Sequence, residues 1–161
     1  MEQTKVFLNT WENYNNGSIG YGWLTAAEAR DFIDADPERD GGEWFIADID
    51  NYLGVEFGSL DYANVEEILD TIETLEDMEE YERDEVIALM EYKGTKNAQE
   101  AIDDLDSYTF YTDIDSYHDC CDELLEFGGN ELFERYFDYE AYHRDCDFDI
   151  YEASNGVCIL G

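Results

Sequence analysis

The sequence predicts an α+β fold that is elongated and built from three small modules. Short β-prone runs occur near both ends of the chain, whereas the middle has helical periodicity and no strand pattern. Hydrophobic residues make up 44% of the 161 residues, which argues against disorder despite a formal net charge of -35. Because charge of one sign repels itself in a compact shape, we expect elongation. We place the modules at residues 1–58, 59–106 and 107–161.

The first module is predicted to be an antiparallel sheet with one short helix. Its strands are expected at residues 5–9, 19–24 and 43–49. The Asn15-Asn16-Gly17 sequence is typical of a hairpin turn, which would join the first two strands. Thr25 and Glu28 have the spacing of a capping box, so a helix should begin after Thr25 and end before Pro37.

The second module is predicted to be helical and centres on residues 65–85, which hold eleven carboxylates and one base. Its apolar residues recur at helical spacing and predict one buried face: Val65, Ile68, Leu69, Ile72, Leu75 and Met78. Another face carries a row of carboxylates, broadened by its neighbours: Glu66, Asp70, Glu73 and Asp77, then Glu67, Glu76, Glu80 and Asp84. Asn64 is the expected N-cap. Further helices are predicted at residues 79–92 and 98–105.

The third module is predicted to mix strands and helices. Residues 108–114 are β-prone. A closing hairpin is expected from strands at residues 148–153 and 157–160, joined by an Asn155-Gly156 turn. One helix is predicted to begin at Asp115 or Ser116. Two further helices are predicted at residues 131–137 and 139–145.

The acidic excess extends over the whole chain. Residues 1–58 carry twelve acids and three bases, residues 59–106 seventeen and three, and residues 107–161 fourteen and two. A phosphate-binding surface needs clustered Lys and Arg, so we expect no binding to nucleic acid or to an anionic membrane. The N-terminus lacks signal-peptide features, and the four cysteines form no disulfide pattern. A cytoplasmic protein is therefore expected.

We expect no catalytic, cofactor or metal site. The chain has two histidines, His118 and His143, and neither lies in a catalytic or zinc-binding pattern. Residues 145–149 begin like a calcium-binding loop, but Ile150 replaces the turn glycine and Gly156 replaces the bidentate glutamate. The sequence therefore predicts a protein that acts by binding, not an enzyme.

The total charge is that of a length of nucleic acid. Duplex DNA carries one charge per about 1.7 Å of axis, so thirty-five charges correspond to about 60 Å of duplex. Such a surface suits a basic DNA-binding groove, which would be attracted to it over a long range. Two alternatives stay open: halophilic adaptation of an ordinary domain, and an acidic calcium-binding or chaperone-like protein.

The sequence YFDYEAYHRD at residues 136–145 closely resembles the YxDYxAYxRDL signature of the ArdA family of antirestriction proteins. Other segments are also similar to that family: Val6-Phe7-Leu8-Asn9, Asn15-Asn16-Gly17, Gly22-Trp23-Leu24 and Ser154-Asn155-Gly156. Two features depart from the family pattern. Cys146 stands where leucine is usual, and the connection between Gly129 and Leu132 is shorter than usual and lacks its proline.

The resemblance implies an elongated, three-part α+β protein that forms a homodimer through its C-terminal part. It also implies mimicry of bent B-form DNA, by which such proteins occupy the DNA-binding groove of type I restriction–modification enzymes. They block restriction and often modification. Members of the family are carried by mobile elements or phages and act in the host cytoplasm.

The expected target-binding surface consists of acids on the predicted helices and in the motif region. They are Glu66, Glu67, Asp70, Glu73, Asp77, Glu80, Asp84, Asp103, Asp104, Asp115, Asp119, Asp122, Glu123, Glu126, Asp138, Glu140, Asp145 and Asp147. Other motif residues are expected to pack or to line the dimer contact: Tyr136, Tyr139, Ala141 and Tyr142. Arg144 is expected to pair with a nearby carboxylate and stabilise the fold.

Overall fold

The computed structural model describes residues 2–115, 135–136, 138, 141 and 150–161. Over these residues, helices combine with two three-stranded antiparallel sheets, which confirms the predicted α+β class. None of the helices in these ranges has the length and apolarity needed to cross a membrane.

The first sheet contains β1 (Lys5–Thr10), β2 (Trp23–Thr25) and β3 (Trp44–Asp50) in the order β2-β1-β3. Val6 of the central strand faces Leu24 on one side and Ile49 on the other. Val6 and Leu8 are fully buried, because alternate residues of this strand face the core. The strands predicted at residues 5–9 and 43–49 are thus confirmed.

The connection between β1 and β2 is not the predicted hairpin. A short helix, α1 (Trp11–Asn15), follows β1, and Thr10 caps it by accepting a hydrogen bond from the Asn13 backbone N–H. The strand predicted at residues 19–24 begins only at Trp23, because Gly20 and Gly22 have positive φ angles of 114° and 97°. A regular strand cannot contain these two conformations.

The remaining helices are α2 (Ala26–Ala35), α3 (Val65–Glu76), α4 (Glu80–Lys93) and α5 (Ala98–Asp104). The capping box of Thr25 and Glu28 forms as predicted, and α2 ends before Pro37. Asn64 caps α3 by accepting from the Glu67 backbone N–H at 3.3 Å.

The acidic stretch 65–85 is divided between two helices. The first, α3, ends at Glu76, and α4 begins only at Glu80, so Met78 lies in the connection and not on the helical stripe predicted for it. Residues 86–90 of α4 are all buried, on every side of the helix. A straight continuation of α3 would carry them away from the core, which explains the break.

The second sheet contains β4 (Thr109–Tyr111), β5 (Ile150–Glu152) and β6 (Cys158–Leu160) in the order β4-β6-β5. The closing hairpin is confirmed, and Gly156 provides the positive φ of its turn. The helices predicted to begin at Asp115 or Ser116 and to cover residues 131–137 and 139–145 lie almost entirely outside the described residues.

Buried side chains from all three predicted modules form one cluster. Val6 comes from the first range, Leu69 from the second and Ile159 from the third, and each is at most 1% exposed. The boundaries near residues 58 and 106 stay a prediction.

Glu91 ties α4 to the closing hairpin. Its Oε1 accepts a hydrogen bond from the Tyr151 hydroxyl at 2.7 Å, and its Oε2 accepts one from the Ser154 hydroxyl at 2.5 Å. The Ser154 backbone N–H lies 3.1 Å from both oxygens. These donors, the Ser154 hydroxyl first, hold the pKa of Glu91 below its usual value. The resulting stability is present above the unfolded-state pKa and is lost as the pH falls through the folded-state pKa.

We expect Glu91→Gln to lower the free energy of unfolding by about 1.5–3 kcal/mol, the range for hydrogen bonds to charged groups. A glutamine has a single acceptor oxygen, and its NH2 group would face donors of Tyr151 or Ser154. Urea unfolding at about pH 7 and about pH 3 measures the effect, which should shrink at the lower pH. Glu80→Gln, an exposed change on the same helix, is the control. An equal loss at both pH values would contradict the assigned role of the Glu91 carboxylate.

Candidate anionic interface

The outer face of α3 presents carboxylates because its inner face is buried. Val65, Ile68, Leu69, Ile72 and Leu75 are at most 9% exposed. Helical periodicity then places Glu66, Asp70 and Asp77 in solvent, with Glu73 half-buried beside them. The row predicted from the spacing of these four acids is therefore present along α3 and its C-cap residue Asp77.

These acids line a groove of about 650 Å³, which we call the α3 groove. Its lining consists of five carboxylates together with neutral polar side chains: Glu66, Glu67, Asp70, Glu73, Asp77, Asn64, Thr71, Thr74, Asn97 and Gln99. Asn97 and Gln99 belong to the start of α5, which packs against α3. No lysine or arginine lines the groove. Its surface therefore accepts hydrogen bonds from cationic groups and repels anions.

Arg30 of α2 neutralises part of this row. One of its guanidinium nitrogens lies 2.5 Å from Asp70 and 2.9 Å from Glu73, and these pairs raise the pKa of Arg30, with the Glu73 hydrogen bond first. The pairing relieves repulsion between the two acids and joins α2 to α3. Sequence spacing did not predict this contact, since forty residues separate Arg30 from Asp70. Within the described ranges, the carboxylates of Glu66, Glu67 and Asp77 make no ion pair or hydrogen bond.

The other described acids of the predicted surface lie outside the α3 groove. Glu80 is exposed in the first turn of α4, and Asp115 is also exposed. Asp84 is half-buried, and its backbone carbonyl accepts a hydrogen bond from the side chain of Asn155. The structure thus joins five of the predicted acids in one groove and places the other described ones elsewhere.

Two further predicted acids take part in internal contacts. Asp103 accepts a hydrogen bond from Gln99 at 2.7 Å, and Asp104 forms an ion pair with Lys93. The pair with Asp104 raises the pKa of Lys93. Part of the negative charge of α5 is therefore used to hold the fold.

Few of the predicted motif residues are described. Tyr136 is 76% exposed and so does not pack within the described chain, whereas its place at a dimer contact stays a prediction. Asp138 is exposed and accepts a hydrogen bond from the half-buried Ala141. Ten predicted residues lie outside the described ranges: Asp119, Asp122, Glu123, Glu126, Tyr139, Glu140, Tyr142, Arg144, Asp145 and Asp147.

Across the described ranges, no group of three or more His, Cys, Asp or Glu side chains is arranged to hold a metal ion. The carboxylates of α3 lie in an open row along a helix. Such a row suits an extended cationic partner, because each acid meets a different part of that partner.

The fold and the α3 groove define an acidic α+β protein with an anionic groove along α3. A family model described as "Antirestriction protein (ArdA)" matches residues 6–159 of the chain. The chain therefore belongs to the ArdA family of antirestriction proteins, as its sequence motif indicated, and this membership implies an antirestriction function. A comparison with curated proteins found no match.

Proposed function

We propose that this protein mimics B-form DNA and occupies the DNA-binding groove of type I restriction–modification enzymes. It acts by binding, without catalysis, and blocks restriction and also modification. The α3 groove is the observation that carries this proposal, because five carboxylates line it and Arg30 pairs with only two of them, Asp70 and Glu73. The partner's surface is the methyltransferase core, which binds DNA with basic side chains.

The spacing of the α3 acids supports mimicry of a phosphate backbone. From Glu66 to Asp77 a helix rises about 16 Å, at about 1.5 Å per residue. One DNA strand carries about five phosphates over that length, at about 3.4 Å each. The groove has five carboxylates over the same distance. The number of carboxylates along this length therefore matches the number of phosphates along one strand, and Arg30 leaves Glu66, Glu67 and Asp77 unpaired for a partner.

The total charge supports a longer contact than one helix. The charge of -35 is spread over the chain, so the α3 groove is one part of an extended anionic surface. We further propose a homodimer formed through residues 107–161, which doubles the mimicked length. A symmetric dimer suits a target with two DNA-recognition halves. The proposed place of action is the cytoplasm of a cell that carries the restriction system.

The test is a competition between this protein and labelled duplex DNA for a type I methyltransferase core. At about 50 mM salt we expect stoichiometric displacement of the DNA. If six to ten ionic contacts form, the affinity should fall by about 10³–10⁵ between about 50 and 200 mM salt. Polyglutamate of equal charge is the control for a nonspecific polyanion and should displace DNA much less effectively.

The same experiment separates mimicry from halophilic adaptation. A halophilic protein unfolds at low salt, whereas a mimic stays folded there and binds most tightly, so circular dichroism at about 50 mM salt accompanies the assay. Folded protein that fails to displace DNA at that salt from a competent enzyme would refute the proposed function.

A further inference from the structure

A cluster of aromatic side chains reaches the surface beside β3. Trp11 stacks on Phe45 with ring centroids 4.2 Å apart and planes at 17°, and Tyr14 meets both rings edge-on at 89°. Tyr62 lies on the solvent side, with its ring centroid 6.0 Å from that of Trp11. Of these rings, Trp11 and Tyr62 line an open recess of about 440 Å³, together with Asn15, Glu43 and Trp44; we call it the aromatic recess.

Tyr62 is not held in this position by burial. Its side chain is 91% exposed, and its φ angle of 62° is left-handed, a conformation that costs energy for a tyrosine. Its hydroxyl and the Trp11 indole N–H have no hydrogen-bond partner in the described part of the chain. The core does not require this ring at all, because Phe45 and Trp11 already form a stack without it.

The electrostatic surroundings of the aromatic recess favour a cation. Glu43 lines the recess, and exposed acids, Glu12 and Asp61, directly adjoin Trp11 and Tyr62 in sequence. No lysine or arginine lines it. Aromatic faces carry negative charge density, which attracts cations placed over them. A planar guanidinium can stack on a ring and bond to a carboxylate at the same time, so it fits better than an ammonium group.

We propose that the aromatic recess binds an arginine side chain on the basic surface of the protein's partner. The exposed ring of Tyr62 would stack on the guanidinium beside Trp11, and Glu43 would accept its hydrogen bonds. This inference rests on the proposed function, since that function provides a partner rich in basic side chains. A second copy of this chain is not the proposed occupant, because the dimer contact proposed above lies in residues 107–161, whereas the recess is lined by residues between Trp11 and Tyr62.

The recess adds a kind of affinity that the acids do not provide. Ionic contacts weaken as salt rises, whereas stacking of a guanidinium on aromatic rings depends much less on salt. The aromatic recess therefore fixes the position of one arginine, while the carboxylates attract the whole basic surface. It makes the protein more selective than a polyanion of the same charge.

Tyr62→Ala tests the proposal, with Tyr81→Ala as the matched control. Tyr81 is 66% exposed and lies on α4, and neither change alters the net charge. In competition for the methyltransferase core, Tyr62→Ala should weaken binding about 3–5-fold at both about 50 and about 200 mM salt. Tyr81→Ala should bind like the wild type. Equal binding by the two variants would overturn the proposal and leave the proposed function intact.

A second measurement does not depend on the restriction enzyme. Hexa-arginine should shift the NMR signal of the Trp11 indole N–H at about 200 mM salt, and hexa-lysine should shift it several-fold less. The difference should vanish in Tyr62→Ala. If this selectivity is found while the methyltransferase core is not displaced, the recess is confirmed and the proposed target is wrong. If Tyr62→Ala instead converts a dimer to monomers in sedimentation, the recess is a contact between copies and the proposal fails.

Discussion

Changing Glu66, Glu67 and Asp77 together to Gln, Gln and Asn is expected to weaken binding to the methyltransferase core and to flatten its salt dependence. Arg30 does not pair with these three groove acids. Each lost ionic contact lowers the slope of log affinity against log salt by about 0.9. The loss in affinity between about 50 and 200 mM salt should therefore be about 40-fold smaller for the triple variant than for the wild type. Single changes should alter it only about 3-fold.

The control is a triple variant with the same change in charge elsewhere. Asp31→Asn, Asp34→Asn and Glu38→Gln alter exposed acids that do not line the α3 groove. It should lose some long-range attraction but keep most of the salt dependence. If the two triple variants behave alike, only the total charge matters, and the α3 groove has no special place in binding. If one single change abolishes inhibition, that acid makes a specific contact with the enzyme, and distributed charge does not explain the binding.

The row of acids on α3 was predictable because it depends on local geometry. Four acids at spacings of four, three and four lie on one face of any helix, and the apolar stripe fixes which face is buried. The neutralising contact from Arg30 was not predictable, because it depends on how α2 packs on α3. The sequence thus predicted the charge of the α3 groove more reliably than the number of acids free to bind a partner.

The aromatic recess could not be predicted from the sequence. Most aromatic residues of a folded domain lie in its core, so an exposed tyrosine cannot be recognised by type. Tyr62 lies in an irregular segment between β3 and α3, where no periodicity indicates which side chains face solvent. Only its positive φ and its 91% exposure distinguish it.

The helices and turns of the fold also differ in how well the sequence predicted them. Caps such as Asn64 and Thr25 act over three residues, so their patterns located the starts of α3 and α2 correctly. The hairpin expected at Asn15-Asn16-Gly17 does not form, because Thr10 caps helix α1, which begins directly after it.

Repulsion between the clustered acids destabilises α3, and burial of its apolar face must offset that cost. Like charges at i and i+4 each destabilise a helix by roughly 0.2–0.5 kcal/mol, and α3 with its C-cap residue holds such pairs at Glu66–Asp70 and Glu73–Asp77, which Arg30 neutralises only in part. Burial of the opposite face offsets this cost, since a fully buried leucine contributes about 1.5–3 kcal/mol. The same helix thus holds the carboxylates in place and anchors the core. Its buried residues should therefore be sensitive to truncation.

Leu75→Ala is expected to lower the free energy of unfolding by about 2–5 kcal/mol. Leu75 is fully buried in the cluster that joins side chains of the first, second and third predicted modules. The loss should therefore appear as one shifted transition, with the near-ultraviolet signal of the aromatic residues and the far-ultraviolet signal of the helices changing together. Urea unfolding followed at both wavelengths measures it. Leu75→Met, which keeps the side-chain volume, should cost less than about 1.5 kcal/mol. Two separate transitions, with only one displaced by Leu75→Ala, would show instead that the modules fold independently and that the shared cluster does not couple them.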